Sequence, residues 1–526
     1  MQIAGGYAAL SRKDYHFQGF DHPPLAEMVS AAWLSMAGRS HPLVFDPAGR
    51  AYLDHLIYEV ADRLIYGSSI PHDLITAAGR WSGCLVFFPV LAVSLFIFAE
   101  RCRPGSGVYA VGLLCIEPNL LAHAALATKD FPSAALLTAS TLLTLIWADR
   151  PSAKVSFLLG VSSAALSLTK YTNLLFFPVA LLLLWLVRKR LSTKHFRGAA
   201  LAAASFAAMF TLVYQGIDWH FYQEGLTATL RRLDAGRGSF FFGDYSPTGW
   251  LLYYPALLLL KTNISHLVLA VAGAVILGRN LLRRGALARA KDNGYLIACL
   301  LMPVAFFFVT SVSKIQIGHR YILPAYPFIV VLAGAGLKEL LSRTRKIQAV
   351  AVVLVLAGLV STARCSPYFL SYFNELAGGP SKAHRYFTDS SVDWGQGLAA
   401  LARWLKDRGA GAIYLSYFGS GDPGAYGIRH VPVGAVGNVA RTADASPALT
   451  EKRLYLAVSV TNFQSTYYSR KGVFDFLRDR RPEALIAYSI LIYDITDDGM
   501  LRERVAKLLN DVGHKDEARQ LASLKR

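Results

Sequence analysis

The chain has 526 residues, 54% hydrophobic and 17% charged, with a formal net charge of +19 and a mean hydropathy of +0.35. This balance excludes a simple soluble domain and suits a multi-span membrane protein with a sizeable polar part. The five cysteines, Cys84, Cys102, Cys115, Cys299 and Cys365, are scattered without Cys-x-x-Cys spacing, which argues against a disulfide framework and a zinc site.

Residues 1–80 read as amphipathic rather than spanning. "PPLAEMVSAAWLSMAG" and "AYLDHLIYEVADRLIYG" place apolar residues at helical spacing with charges between. They predict helices lying on a membrane surface. Apolar runs long enough to cross a bilayer, which needs about 20 residues, follow at 81–102, 106–127, 131–149, 154–171, 173–189, 197–217, 264–280, 294–313, 320–341 and 346–364. The loop at 218–263 carries "GRGSFFFGDYSPTGWLLYYPALLLLKTN", whose aromatics suit the interface. From 366 the pattern changes. "AIYLSYFG", "RLYLAVSV" and "ALIAYSILIYDI" read as strands. "SSVDWGQGLAALARWLKDRG" reads as a helix capped by Ser or Asp and stopped at Gly409. The tail "LNDVGHKDEARQLASLKR" reads as a solvated terminal helix. The expected fold class is therefore a mostly α polytopic membrane protein of about ten visible spans with a C-terminal α/β domain. Its parts are a first outer loop at 1–80, a transmembrane domain at 81–365 and an extracytoplasmic domain at 366–526.

The charges set the orientation. Alternate connections hold Arg101 and Arg103, Arg150 and Lys154, "VRKRLSTKHFR", "GRNLLRRGALARAK" and "KELLSRTRK". The positive-inside rule places these in the cytoplasm. Topology thus accounts for most of the basic excess, and no nucleic-acid partner is expected. Residues 1–80 then lie outside, so a first transmembrane helix is expected upstream of Met1, N-terminal translocation without a signal being the alternative.

The other face gathers ionisable residues from separate loops: Asp21 and His22; His123, Lys129 and Asp130; Lys170; Lys261 and His266; and Lys314, His319 and Arg320. Polar groups at the ends of spans are functional candidates. Cations there suit a phosphate on a lipid, and acids suit a divalent metal or a general base. Simpler readings stand beside these. Asp21 before Pro23-Pro24 and Asp130 before Phe131-Pro132 fit helix starts, Lys129 and Lys170 fit snorkelling lysines, and His266 fits an interfacial histidine. Asp389 and Asp393 in "DSSVDWGQG" fit helix caps.

Six stretches occur in order: "AGGYAALSRKDYHFQGFDHPPLAEMVSAAWL", "EPNLLAHAALATKDFPSAALL", "GVSSAALSLTKYTNLLFF", "GWLLYYPALLLLKTN", "IGHRYILPAYPFIVVLAG" and "YFNELAGGPSKAHRYFTDSSVDWGQGLAALARWL". Together they resemble bacterial membrane glycosyltransferases of the GT-C fold, in the protein O-mannosyltransferase and aminoarabinose transferase group. The resemblance implies a multi-pass enzyme of the bacterial cytoplasmic membrane. It would move a hexose or pentose from a polyprenyl-phosphate donor to a glycan, lipid or protein acceptor on the outer face, by inversion at the anomeric carbon. It matches Asp130 to a catalytic acid and Asp21 to an acid with catalytic or metal character. It sets His22 where that branch carries a phosphate-facing lysine, and Lys170, His319 and Arg320 at phosphate-facing positions. Lys261 is assigned to the donor phosphate with them, and His266 to a divalent metal with Asp21. An Asp-Glu pair usual in the group would precede Met1. The competing classes are a catalytically inactive assembly or binding protein of this fold and a secondary transporter, which should show paired internal repeats.

Overall fold

The computed structural model describes residues 1–13, 15, 22–36, 54–187, 192–216, 220–283, 293–434 and 451–524. They form two compact units. The first comprises Met1–Ala235, Tyr254–Ser313 and Arg320–Phe369; the second comprises Gly236–Tyr253, Lys314–His319 and Leu370–Arg526.

The first unit is helical. It begins with α1 (Gln2–Arg12), α2 (Leu25–Met36), α3 (Asp54–Tyr66), α4 (His72–Cys102), α5 (Gly107–Leu114), α6 (Pro118–Ala124), α7 (Asp130–Asp149) and α8 (Ala153–Ser167). It continues with α9 (Phe176–Val187), α10 (Thr193–Val213), α11 (His220–Ala235), α12 (Tyr253–Lys261), α13 (Ile264–Arg283), α14 (Gly294–Ser311), α15 (Tyr326–Leu341) and α16 (Arg345–Arg364). Among the described residues, six helices, α4, α7, α10, α14, α15 (from Leu323) and α16, are long and apolar enough to cross a membrane, or eight spans if two bent pairs count as one each. The sequence predicts about ten. The difference lies in the shorter apolar helices α8 and α9 and in two runs that break. Gly107–Leu114 and Pro118–Ala124 meet at 66°, and Tyr253–Lys261 and Ile264–Arg279 meet at 109°. The first break falls at Glu117-Pro118, where the Glu117 carboxylate accepts the Leu120 N–H (2.8 Å) and the proline occupies a first-turn position. The second falls at Thr262-Asn263, where Asn263 Oδ1 accepts the Ser265 N–H (3.0 Å).

Helix α7 runs through the middle of this unit, with 89% of its apolar window buried. Its hydroxyls are satisfied inside the helix: Thr138, Thr141 and Thr144 each donate to a carbonyl four residues back at 2.8 Å. Helices α10 and α16, with 11% and 17% of their apolar stretches buried, leave their apolar sides open, as lipid contact requires. Between α13 and α15 the backbones approach closely. A Cβ on Gly273 would stand 2.0 Å from the Leu332 carbonyl oxygen, and one on Gly336 2.1 Å from that of Leu269, so only glycine fits.

The two ends of this unit differ in chemistry. Arg103 pairs with Glu339, joining the ends of α4 and α15. The His195 ring meets the Ala148 carbonyl at 3.3 Å, joining α10 to the end of α7. Arg101 and His195, from two of the basic connections, thus stand at the Asp149 end of α7. Asp130 stands at the other end, about 30 Å away for a 20-residue helix.

In the second unit, β1 (Ser239–Phe241) and β2 (Asp244–Ser246) form a hairpin. A five-stranded sheet is built from β3 (Ile413–Ser416), β4 (His430–Pro432), β5 (Tyr455–Ser459), β6 (Ala484–Ile486) and β7 (Ile490–Asp494), in the order β4-β3-β5-β7-β6. β3 is parallel to β4 and β5, and β7 is antiparallel to β5 and β6. Helix α17 (Leu398–Arg408) packs Leu398, Leu401 and Leu405 onto Ile413, Leu415 and Ile492 of the sheet. It ends at Gly409 as expected, in the left-handed region (φ 62°), but its N-cap is Gly397 with no side-chain cap. A short helix α18 (Val460–Phe463) follows β5, and the tail is a pair of helices, α19 (Gly499–Asp511) and α20 (Lys515–Ser523).

Asp389 and Asp393 therefore do not cap α17. Asp389 accepts the Tyr467 hydroxyl and the Ser390 N–H, and Asp393 accepts the N–H groups of Gly395 (3.2 Å) and Thr461 (3.5 Å). Burial pushes the Asp393 carboxyl up from 3.8 to about 7, against the pull of those amides. Between about pH 4 and pH 7 the folded chain thus holds a proton that the unfolded chain has lost, and stability falls as pH rises through that window. Asp393→Asn is expected to flatten this fall, measured as the change in unfolding midpoint across it.

Candidate functional site

Asp130 is the first residue of α7, after the N-cap Lys129, and its side chain makes no capping bond. It faces the interior instead, 1% exposed. Oδ1 accepts a hydrogen bond from Lys170 Nζ at 2.8 Å, while Oδ2 is buried and accepts none from the described residues. Lys170, itself buried, comes from the turn after α8, where the chain leaves the helix in extended backbone. The pair is joined again below its charges: Ser133 and Asn173 share a side-chain hydrogen bond.

Tyr321 gathers the cations. Lys170 Nζ stands 4.7 Å and Arg320 Cζ 5.3 Å from the centroid of its ring. Lys170, Arg320 and the buried His123 of α6 all lie within electrostatic reach of the Asp130 carboxylate. His22 stacks over Tyr171, ring centroids 6.3 Å apart. Burial, then the charges of Lys129, Lys170 and Arg320, hold its imidazole well below the usual histidine range, so it is neutral. A second acid–cation pair lies beside the first. Glu27 of α2 and Lys129 are both buried and stand 3.4 Å apart.

Among the described residues, Lys170 and Arg320 thus converge on the Asp130 carboxylate at one end of the bundle, with the Glu27–Lys129 pair beside them. Lys170, Arg320 and Asp130 leave an excess of one positive charge in a low-dielectric site, which favours an anion. The residues expected from the sequence are only partly assembled here. Asp130, Lys170, Arg320 and His22 come together. Lys261 is buried at the α12–α13 break, within electrostatic reach of Glu117 and of His123; its carbonyl accepts the Asn119 side-chain amide at 2.8 Å. His266 Nε2 stands 2.9 Å from the Leu113 carbonyl. His319 falls in the second unit, where its N–H donates to Ser391 Oγ at 3.2 Å. Asp21 lies outside the described residues. Glu27 and Tyr321 are the members that sequence reasoning misses.

Of the metal expected at Asp21 and His266, Asp21 lies outside the described residues; among those described, no three His, Cys, Asp or Glu side chains stand together as a metal site, and His266 turns its Nε2 to the Leu113 carbonyl.

The chain is similar in structure to ArnT from Cupriavidus metallidurans in the apo state, at 13% identity over 94% of this chain and 92% of that chain (TM-score 0.41). It is similar to the same protein bound to undecaprenyl phosphate, at 13% identity over 91% and 95% (TM-score 0.38). It is also similar to the archaeal oligosaccharyltransferase AglB from Archaeoglobus fulgidus, at 11% identity over 74% and 54% (TM-score 0.42). No curated protein matches it. The model of one family matches residues 87–377, a stretch that runs from α4 through the Asp130–Lys170 pair and Arg320 to the start of the second unit. That match spans more than half of the chain, and the chain belongs to the Alg9-like mannosyltransferase family.

Proposed function

We propose that this protein is a membrane glycosyltransferase that moves a sugar from a polyprenyl-phosphate donor to an acceptor hydroxyl on the outer face of the cytoplasmic membrane. The observation that carries the reading is the buried Asp130–Lys170 pair with Arg320 within reach of it. A carboxylate with one oxygen held and one open can take a proton. Cations beside it can hold a phosphate.

The acceptor O–H approaches Asp130 Oδ2, which takes its proton as general base. The acceptor oxygen forms a bond to the anomeric carbon from one side. The bond from that carbon to the lipid phosphate breaks on the other, with its electron pair passing to the phosphate oxygen. Lys170 and Arg320 stabilise the charge that develops there. Neutral His22 adds a hydrogen bond to the phosphate without a further charge. Charge supports placement outside: the basic connections of Arg101 and His195 lie at the Asp149 end of α7, which the positive-inside rule sets in the cytoplasm, and Asp130 stands at the opposite end.

The test is a donor comparison. Reconstituted protein is given a radiolabelled polyprenyl-phosphate sugar or a labelled nucleotide sugar, with a cell-envelope extract as the pool of acceptors. Label is expected to move from the lipid donor alone. Transfer from the nucleotide sugar, or from neither, would overturn the proposal.

A further inference from the structure

Glu27 has no part in the reaction just described, yet it is buried against Lys129, the residue before Asp130. Helix α2 is fixed in place from two sides. The Leu25 N–H donates to the Leu168 carbonyl (3.1 Å), two residues before Lys170. Helix α1 packs so closely that a Cβ on Gly6 would fall 1.9 Å from the Glu27 carbonyl oxygen. The Glu27 carboxylate is therefore delivered to Lys129 by two rigid contacts. Lys129 immediately precedes Asp130 and lies within electrostatic reach of both carboxylates, while Asp130 Oδ2 accepts no hydrogen bond from the described residues. An ammonium in this position has two carboxylates to choose between. Only one choice leaves the open oxygen available.

We infer that Glu27 is a positioning residue: it holds the Lys129 ammonium away from Asp130 Oδ2, and so keeps that oxygen open to the acceptor hydroxyl. The inference rests on the reading of Asp130 as the base. Without the Glu27 charge, Lys129 turns to Asp130. Both carboxylate oxygens are then engaged by ammonium groups, and the base is weakened without loss of the donor-binding cations.

The variants are Glu27→Gln, the double variant Glu27→Gln/Lys129→Met, and the charge swap Glu27→Lys/Lys129→Glu. Each is assayed for sugar transfer per folded protein, with folding followed by size-exclusion chromatography and thermal unfolding. Glu27→Gln is expected to lower kcat about tenfold or more while changing the donor KM less than about threefold. The double variant, which removes the intruding ammonium, is expected to return to within about threefold of wild type. The swap keeps the ammonium paired and is expected to do the same, so it carries the test where Glu27→Gln does not fold. A folded Glu27→Gln with wild-type kcat, a double variant no better than the single, or a folded swap that loses tenfold would overturn the inference. Loss of wild-type transfer altogether would instead overturn the reading on which it rests.

Discussion

Asp130→Asn is expected to lower the rate of sugar transfer by about 10²- to 10⁴-fold, the range that a positioned general base contributes. The substitution keeps the shape of the side chain. Its Oδ1 still accepts from Lys170 Nζ, so the α7 start and the turn after α8 remain joined. What it removes is the lone pair that takes the acceptor's proton, because an amide Nδ2 is a donor. Donor binding should hold or tighten, since Lys170 is no longer shared with a carboxylate. The signature is thus a fall in kcat with the donor KM unchanged or lower, measured by steady-state transfer from a labelled polyprenyl-phosphate sugar. A parallel rise in KM would place Asp130 in donor binding instead.

Lys170→Met is expected to destabilise the fold and to abolish transfer. Both members of the Lys170–Asp130 pair are nearly sealed from solvent, and the methionine side chain retains most of the lysine stem. The substitution therefore deletes the charge rather than the packing. Removing one partner of a buried ion pair costs about 3–5 kcal/mol, because the other charge is left buried without compensation. Arg320 and His123 remain within reach of Asp130, so the loss should fall toward the lower end of that range. The double variant Lys170→Met/Asp130→Asn, which leaves no charge behind, should recover much of the stability and none of the activity. Thermal unfolding in detergent, run beside the transfer assay, separates the two effects. If the single variant melts with the wild type, the pair is not compensating a buried charge.

Much of this site is legible in the sequence. Lys170 and Arg320 stand out because positive-inside bias makes cations at the span ends opposite the basic connections anomalous, Asp130 because it is an acid beside them at a span start, and the six ordered stretches resemble a glycosyltransferase. Glu27 does not stand out. Within "PPLAEMVSAAWL" a lone acid reads as the solvated side of a surface helix, and only a lysine 102 positions away shows that it is buried. A long-range pair of this kind leaves no periodicity to read. Tyr321 is hidden in the same way, since an aromatic at a span entrance is ordinary until two cations are found over its ring.

The fold follows a similar line. The apolar runs at 131–149, 294–313 and 346–364 correspond to the helices Asp130–Asp149, Gly294–Ser311 and Arg345–Arg364. The run at 106–127 misleads, because hydropathy averages over Glu117-Pro118, where a side-chain cap turns one run into two helices; the loop read to 263 instead ends in the helix Tyr253–Lys261, which meets the next at Thr262-Asn263. In the second unit, "ALIAYSILIYDI" reads as one strand but is a hairpin, turned at Ala487 and Tyr488 with φ of 51° and 57°. Neither residue announces a left-handed turn as glycine or asparagine does. The three-residue strand at His430–Pro432 is too short to carry an alternation.

The most direct test of the account is the release of free polyprenyl phosphate from a polyprenyl-phosphate sugar by the reconstituted protein, compared between wild type and Asp130→Asn. Wild type should release the lipid phosphate as label appears on an acceptor, and the folded variant should release almost none. Equal release by both would contradict a mechanism centred on Asp130.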